Sequence, residues 1–156
     1  MLEVAVPGRG EQIFDQLVLD FNGTLAQDGA LLPGVAQRLQ ALSSLLSIHV
    51  LTADTFGSAT TSLAGLPLQL TVLDPELQKE AKASLVEEFG ADRTVTIGNG
   101  ANDVAMLEKA ALGIVVNGPE GCACETLLAA DIVACDIEVA LDLLLKPKRL
   151  IATLRR

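Results

Sequence analysis

Leu17-Val18-Leu19-Asp20-Phe21-Asn22-Gly23-Thr24-Leu25 joins an apolar, strand-like run to a carboxylate and then to a glycine turn. A second stretch repeats the pattern. Thr94-Val95-Thr96-Ile97 leads into Gly98-Asn99-Gly100-Ala101-Asn102-Asp103, with its carboxylate at the far end. Acids and glycines at the carboxyl ends of buried strands are where an α/β sheet builds a ligand site. The pair suits a phosphate together with a divalent cation. Two of its polar positions, Asn22 and Asn99, carry Asn where Asp would be stronger, because hard cations favour carboxylate oxygen.

Outward from these stretches, apolar runs alternate with helix-period segments, the pattern of an α/β fold whose mainly parallel sheet is covered by helices on both faces. The expected strands are Leu17–Asp20, Ile48–Thr52, Leu68–Leu73, Thr94–Ile97, Gly113–Val116 and Asp131–Ala134. The expected helices lie near Val35–Leu46, Gly57–Leu63, Glu76–Phe89, Asp103–Ala111, Glu120–Ala129 and Ile137–Leu145. Pro33-Gly34 and Pro75 mark helix starts, where a missing N–H costs nothing. Gly90 reads as a helix cap. Pro147 should end the last of these helices and leave Lys148–Arg156 as a short terminal one. Leu2–Val6 alternates weakly before Pro7-Gly8-Arg9-Gly10 and reads as an edge strand or hairpin arm. Residues 1–156 are expected to form one domain with one core.

Half the residues are hydrophobic, so core-forming side chains are plentiful. No apolar run approaches the roughly 18 residues of a membrane span, and the N-terminus lacks the basic start and apolar stretch of a secretory signal. The expectation is a cytoplasmic protein without a membrane span. A formal charge of −9 argues against nucleic acid as a partner, which needs clustered Lys and Arg. The absence of Trp and Tyr argues the same way for single strands and for a nucleobase pocket. Lys146, Lys148, Arg149, Arg155 and Arg156 gather five of the eleven basic residues at the C-terminus. They read as a solvated helix with cations near its negative end, or as a docking surface. Cys122, Cys124 and Cys135 lack paired spacing and are expected to be small buried hydrophobes rather than a disulfide or zinc site.

Taken one at a time, the site residues each have two readings. The Asp20 carboxylate can attack phosphorus while its other oxygen holds a metal; against this, Asn22-Gly23 between apolar flanks is a type I′ hairpin signal with Asp20 merely beside it. Thr52, at the end of Ile48-His49-Val50-Leu51-Thr52-Ala53-Asp54, offers a hydroxyl for a phosphate oxygen, backed by the N–H groups of the loop that Ala53 begins. Many strands end in Thr for no such reason. His49, mid-strand, reads as a hydrogen-bonded core residue. Lys82 can reach over the strand ends as a point charge on an aspartate–phosphate pair, and Lys79 is its rival. Asp103 can hold Mg²⁺ directly or through water; alternatively Asn99 or Asn102 caps a helix with Asp103 in its first turn. What lifts the set above its members is the order: carboxylate, hydroxyl, lysine, then glycine loop with carboxylate, each at a strand end or on the adjoining helix.

In that order the sequence resembles the haloacid dehalogenase-like (HAD) hydrolase superfamily, and within it the phosphorylation domain of P-type ATPases. The four motifs of that superfamily match Asp20-Phe21-Asn22-Gly23-Thr24-Leu25, Thr52, Lys82, and Gly98-Asn99-Gly100-Ala101-Asn102-Asp103. Leu51-Thr52-Ala53-Asp54 is similar to the pumps' Leu-Thr-Gly-Asp, and Lys82 is preferred over Lys79 because Leu85, Val86 and Phe89 follow at the family spacing. The nearest group is that of the soluble P-type ATPase-like phosphatases. The resemblance implies a three-layer Rossmann-like core and Mg²⁺ as cofactor. Asp20 would be the nucleophile. Thr52, Ala53 and Lys82 would bind the phosphoryl group, and Asp20, the main-chain carbonyl of Asn22, Asn99 and Asp103 would bind the metal. Only 31 residues separate Asp20 from Thr52, so the family's cap domain is not expected there, nor are the pumps' nucleotide-binding domain and transport.

Two departures from the family matter. Its phosphatases carry Asp two residues after the nucleophile as general acid and base; Asn22 cannot carry a titrating proton, a loss worth roughly 10²–10⁴-fold in rate. Asn99 stands where the family has an Asp ligand. Slow hydrolysis is therefore expected, best for acyl or aryl phosphates, with a small phosphorylated substrate or a phosphoprotein as partner. A capless site stays wet, and the resemblance implies a homo-oligomer. The alternative is a catalytically degenerate phosphate- or partner-binding module that regulates another protein. Both substituted positions are also Asn-Gly pairs, prone to deamidation to Asp, which would rebuild the family motif.

Overall fold

The structure is a computed structural model and describes residues 1–54 and 56–156. Strands β1 (Leu2–Val6) and β2 (Gly10–Phe14) form an antiparallel hairpin outside the main sheet, the second of the two roles read for Leu2–Val6. The chain then enters the sheet with β3 (Gln16–Asp20). A small hairpin, β4 (Ala26–Gln27) and β5 (Ala30–Leu31), and helix α1 (Val35–Leu42) lead to β6 (Ser47–Thr52). Helix α2 (Ser58–Ser62), β7 (Gln69–Val72) and α3 (Gln78–Phe89) follow. The second half alternates β8 (Thr94–Gly98), α4 (Val104–Lys109), β9 (Leu112–Val116), α5 (Cys124–Ala129), β10 (Ile132–Ala134), α6 (Ile137–Leu145) and α7 (Pro147–Leu154).

Six strands make one parallel sheet in the order β10-β9-β8-β3-β6-β7. Starting at β3, the chain builds outward through β6 and β7, then returns to lay β8, β9 and β10 on the other side. The reversal falls between β3 and β8, and ligands in such sheets bind outside the carboxyl ends at that switch point.

Period-two alternation, masked in sequence because both faces are apolar, divides the strand side chains. Leu17 and Leu19 join Ile48, Val50, Val95 and Ile97 in a core shared with α1, α2, α6, α7 and β1. Val18 and Leu51 join Val86, Met106, Leu107 and Val115 beneath α3 and α4. Parity therefore puts Asp20, like Val18, on the face that α3 covers.

Several boundaries move. Helix α1 stops at Leu42, where the hydroxyls of Ser43 and Ser44 bond back to Gln40 and Ala41 carbonyls and compete with helix continuation. Helix α5 starts at Cys124 rather than Glu120, because Gly118 to Gly121 close a turn with Gly121 at φ 74°. Gly90 caps α3 at φ 96° and Pro147 opens α7, as the sequence predicts. Strand β2 and the β4–β5 hairpin were not expected. Cys124 and Cys135 are exposed and Cys122 is half-buried, so the expectation of three buried thiols is corrected; two of them lie on the first residue of a short helix and in the turn after an edge strand. No helix among the described residues is long and apolar enough to cross a membrane.

Candidate active site

Lys82 and Asp20 are 62 positions apart, and the fold brings them into contact. From the α3 face, the Lys82 ammonium donates to Asp20 Oδ1 at 2.6 Å and to Asp103 Oδ1 at 2.7 Å. Lys82 and Asp103 are wholly buried and Asp20 nearly so. Lys79 is exposed. Of the two lysines, it is Lys82, the one the family spacing prefers, that meets Asp20 in this fold.

Asp103 is shaped by its own loop. Its Oδ2 accepts the amides of Asn99 at 2.9 Å and Gly100 at 3.0 Å, a capping arrangement that fixes the carboxylate against the end of β8. Gly98 makes this fit possible: a Cβ there would lie 2.5 Å from Asp103 Oδ2. The helix-cap reading of this loop is corrected in part: Asp103 lies in the first turn of the short helix Ala101–Asp103, but Gly100, and neither Asn99 nor Asn102, stands at its N-cap.

Asn22-Gly23 does not form a type I′ turn. Gly23 is left-handed at φ 78°, but Asn22 is not among the positive-φ residues. The turn that type requires is at Asp28-Gly29, with φ 51° and 78°, closing the β4–β5 hairpin. Asn22 is exposed at the rim and pairs as an isolated bridge with Ala26. At Gly23 a Cβ would meet Asn99 Nδ2 at 2.4 Å, so the two loops touch through this glycine.

Thr24, which sequence reasoning did not single out although it lies within the first motif, links the loops. Its hydroxyl lies 3.1 Å from Asn99 Oδ1 and 3.4 Å from Asp20 Oδ2. Asn99 Nδ2 donates to Gly121 O at 3.0 Å, which turns its carbonyl oxygen toward Thr24. Thr52, buried at the end of β6, accepts the Asp54 amide at 3.2 Å, and half-buried Ala53 begins the loop beside it. His49 bonds Gln16 at 3.0 Å and stacks on Phe89 at 3.9 Å, the core role expected of it.

Electrostatically the cluster is one cation between two carboxylates. Burial pushes the Asp20 carboxyl up to about 7, with the Asp103 charge adding to the rise and Lys82 opposing it. Burial alone would lower Lys82; Asp20 and Asp103 outweigh it and raise the ammonium. No group of three or more His, Cys, Asp or Glu among the described residues is arranged to hold a metal. The deamidation route meets an obstacle: the Gly23 amide is bonded to Ala26 O and the Gly100 amide to Asp103, so both nitrogens that would attack are engaged.

No family model matches the chain. Over 82 residues, half of this chain and 88% of the relative, it is 46% identical to an uncharacterized protein of Methanocaldococcus jannaschii, and it belongs to the same family as that protein. Solved structures match more of it at lower identity. A protein of Streptomyces avermitilis assigned as a HAD family hydrolase superposes with a TM-score of 0.70 at 20% identity, covering 86% of this chain and 87% of its own. The 3-deoxy-D-manno-octulosonate 8-phosphate phosphatase of Moraxella catarrhalis, solved with magnesium, phosphate and its sugar acid, superposes at 0.71 and 19% identity over 91% and 94%. The catalytic domain of the CPx-ATPase CopB-B reaches 0.61 at 23% identity, over 73% of this chain and 45% of that one. The fold is that of the HAD hydrolases.

Proposed function

We propose that this chain is a slow, Mg²⁺-dependent phosphohydrolase of the P-type ATPase-like kind, acting through an aspartyl-phosphate on Asp20. The observation that carries the reading is Lys82, buried and shared between Asp20 and Asp103 at the switch point of the sheet.

In the first step an Asp20 oxygen attacks phosphorus as the bond from phosphorus to the leaving oxygen breaks. Oδ2 is the freer of the two, since Lys82 holds Oδ1. Lys82 offsets the charge that gathers on the phosphoryl oxygens, in a dry environment where such pairing is strong. Thr52 Oγ already accepts from Asp54, so its own proton is left to donate to a phosphoryl oxygen beside the Ala53 N–H. In the second step water attacks phosphorus and the aspartyl oxygen leaves, with the proton passing to solvent because Asn22 cannot take it.

The donor set suits a cation that the substrate helps to hold. Magnesium is commonly bound by one or two carboxylates, waters and substrate phosphate, and Thr24 bridges Asp20 Oδ2 and Asn99 Oδ1. The Asn22 main-chain carbonyl would be a third oxygen. Asp103 contributes charge more than a ligand atom, because Oδ2 already accepts two amides. When bound, the ion would neutralise phosphoryl oxygens and favour ionised Asp20.

The test is phosphate release from acetyl phosphate with Mg²⁺, wild type against Asp20→Asn. Release in the wild type and none in the variant is the expected result; no release from either supports a phosphate- or partner-binding module, the reading that Asn22 and Asn99 favour. A persisting phospho-Asp20 would mark a pump-like intermediate.

Asp20 also sets a pH dependence of the metal-free protein. Its carboxyl titrates near 3.8 when unfolded and about 7 when folded. Between those values the folded state holds the extra proton, so stability falls as pH rises through the window and levels off above 7. The difference in unfolding free energy between Asp20→Asn and wild type should grow across that range, by about 4 kcal/mol at most. Urea melts of both proteins from pH 4 to 8 measure it, and a flat difference curve would remove the raised carboxyl from the account.

A further inference from the structure

We infer that Gln78 is a positioning residue of the site: its side chain fastens the start of α3 to the loop that carries Asp103, and so fixes where the Lys82 ammonium stands; this rests on the phosphate-handling reading above. Asn102 Nδ2 donates to Gln78 Oε1 at 2.7 Å, and Gln78 Nε2 donates to Pro75 O at 3.2 Å. Gln78 and Lys82 are four residues apart on one helix, hence on one face of it. Their partners, Asn102 and Asp103, are neighbours in the loop. Two rungs thus join α3 to this loop, a half-buried amide pair and a buried ion pair.

The start of α3 has little else to hold it. No residue of the helix before Lys82 is buried, and Leu77 at the N-cap, itself exposed, makes no side-chain cap. The turn in front is closed by Asp74, whose Oδ1 and carbonyl accept the Glu76 and Leu77 amides, and it is exposed as well. Helix ends fray, and local opening costs least where few buried contacts restrain the chain. Lys82 is the fifth residue of α3, so its amide closes the first helical turn on the Gln78 carbonyl. Losing that turn would free the backbone that carries the ammonium.

The loop, by contrast, is held from several sides. Wholly buried Thr126 of α5 donates to Gly100 O at 2.7 Å. The Ala123 amide donates to Asn99 O at 3.0 Å and the Asp103 amide to Gly100 O at 2.9 Å. Asp103 Oδ2 takes two further amides of the same loop. With the loop fixed and the helix start exposed, Asn102 locates Gln78 rather than the reverse. The effect of Gln78 on Lys82 then runs through the turn of helix between them.

Gln78→Met keeps the length and helix propensity of the side chain and removes both hydrogen bonds, whereas Gln78→Glu keeps an acceptor for Asn102. With acetyl phosphate and Mg²⁺, Gln78→Met should lower kcat by roughly ten- to a hundredfold, the scale of an ångström of misplacement. KM should change far less, because the charge that Lys82 offsets gathers in the transition state. Gln78→Glu should keep most of the wild-type kcat. Ser62→Ala removes a half-buried hydrogen bond of 3.0 Å between α2 and Gly29 O in the β4–β5 turn, away from Lys82 in the chain, and should leave kcat as it is. An unchanged kcat in Gln78→Met overturns the inference. So does an equal loss in Gln78→Glu, which would deny the contact with Asn102 its role, or in Ser62→Ala, which would make the loss a general loosening of the fold. If the wild type releases no phosphate, the phosphate-handling reading itself fails, and the inference with it.

Discussion

Asn22→Asp is expected to accelerate hydrolysis of alkyl phosphates by roughly 10²–10⁴-fold, the usual worth of a positioned general acid and base. The substitution is nearly isosteric and Asn22 is exposed at the rim, so the fold has no reason to object. The carboxylate would sit two residues beyond Asp20, on a loop whose path is set by Gly23 and the bridge to Ala26. Its effect should depend on the leaving group. For acetyl phosphate, whose carboxylate leaves without a proton, the gain is expected only in the second step. For an alkyl ester both steps gain. A series of esters of graded leaving-group acidity, assayed in both proteins, reads this directly. The wild type should show a steep dependence and Asn22→Asp a shallow one. Parallel lines would mean that position 22 takes no part in proton transfer.

Removing the lysine should be the most damaging change to stability. Lys82→Met is expected to cost about 3–5 kcal/mol, because it leaves two carboxylates buried side by side with no cation between them. For a chain of this size that is a fall of roughly 10 °C or more in melting temperature. Hydrolysis should vanish as well, but the informative result is the double variant. Asp20→Asn in the Lys82→Met background takes away one of the opposed charges and should recover much of the loss. Additive costs of the two substitutions in a thermodynamic cycle would show that Lys82 and Asp20 are not coupled, and the contact at the centre of the site would lose its meaning.

Much of this site is legible along the chain because strand ends are. Asp20, Thr52 and the Gly98 loop each follow an apolar run, and the sheet places those runs where they were expected to within a residue or two. The hairpin after Asp20 shows where reading stops. Asn22-Gly23 and Asp28-Gly29 carry the same turn chemistry, yet only the second adopts it, since the first is held by contact with Asn99, far away in sequence. Lys79 and Lys82 lie nearly a helical turn apart, and the residues alone leave them rivals, the family spacing being what prefers Lys82; the packing of α3 on the sheet buries Lys82 and leaves Lys79 in water. Thr24 and Asp54 acquire their roles from partners that only the folded loops supply.

By itself the sequence determined the alternation of strands and helices and the identity of the groups at each strand end. It also determined that position 22 carries no titrating proton, since an amide is an amide in any conformation. Only the tertiary structure decided which face Asp20 presents, which lysine meets it, and that Asp103 closes the cluster. Those outcomes depend on strand parity and on contacts between positions 21 and 62 apart, where the cost of burying three charged groups is met only once all three are together.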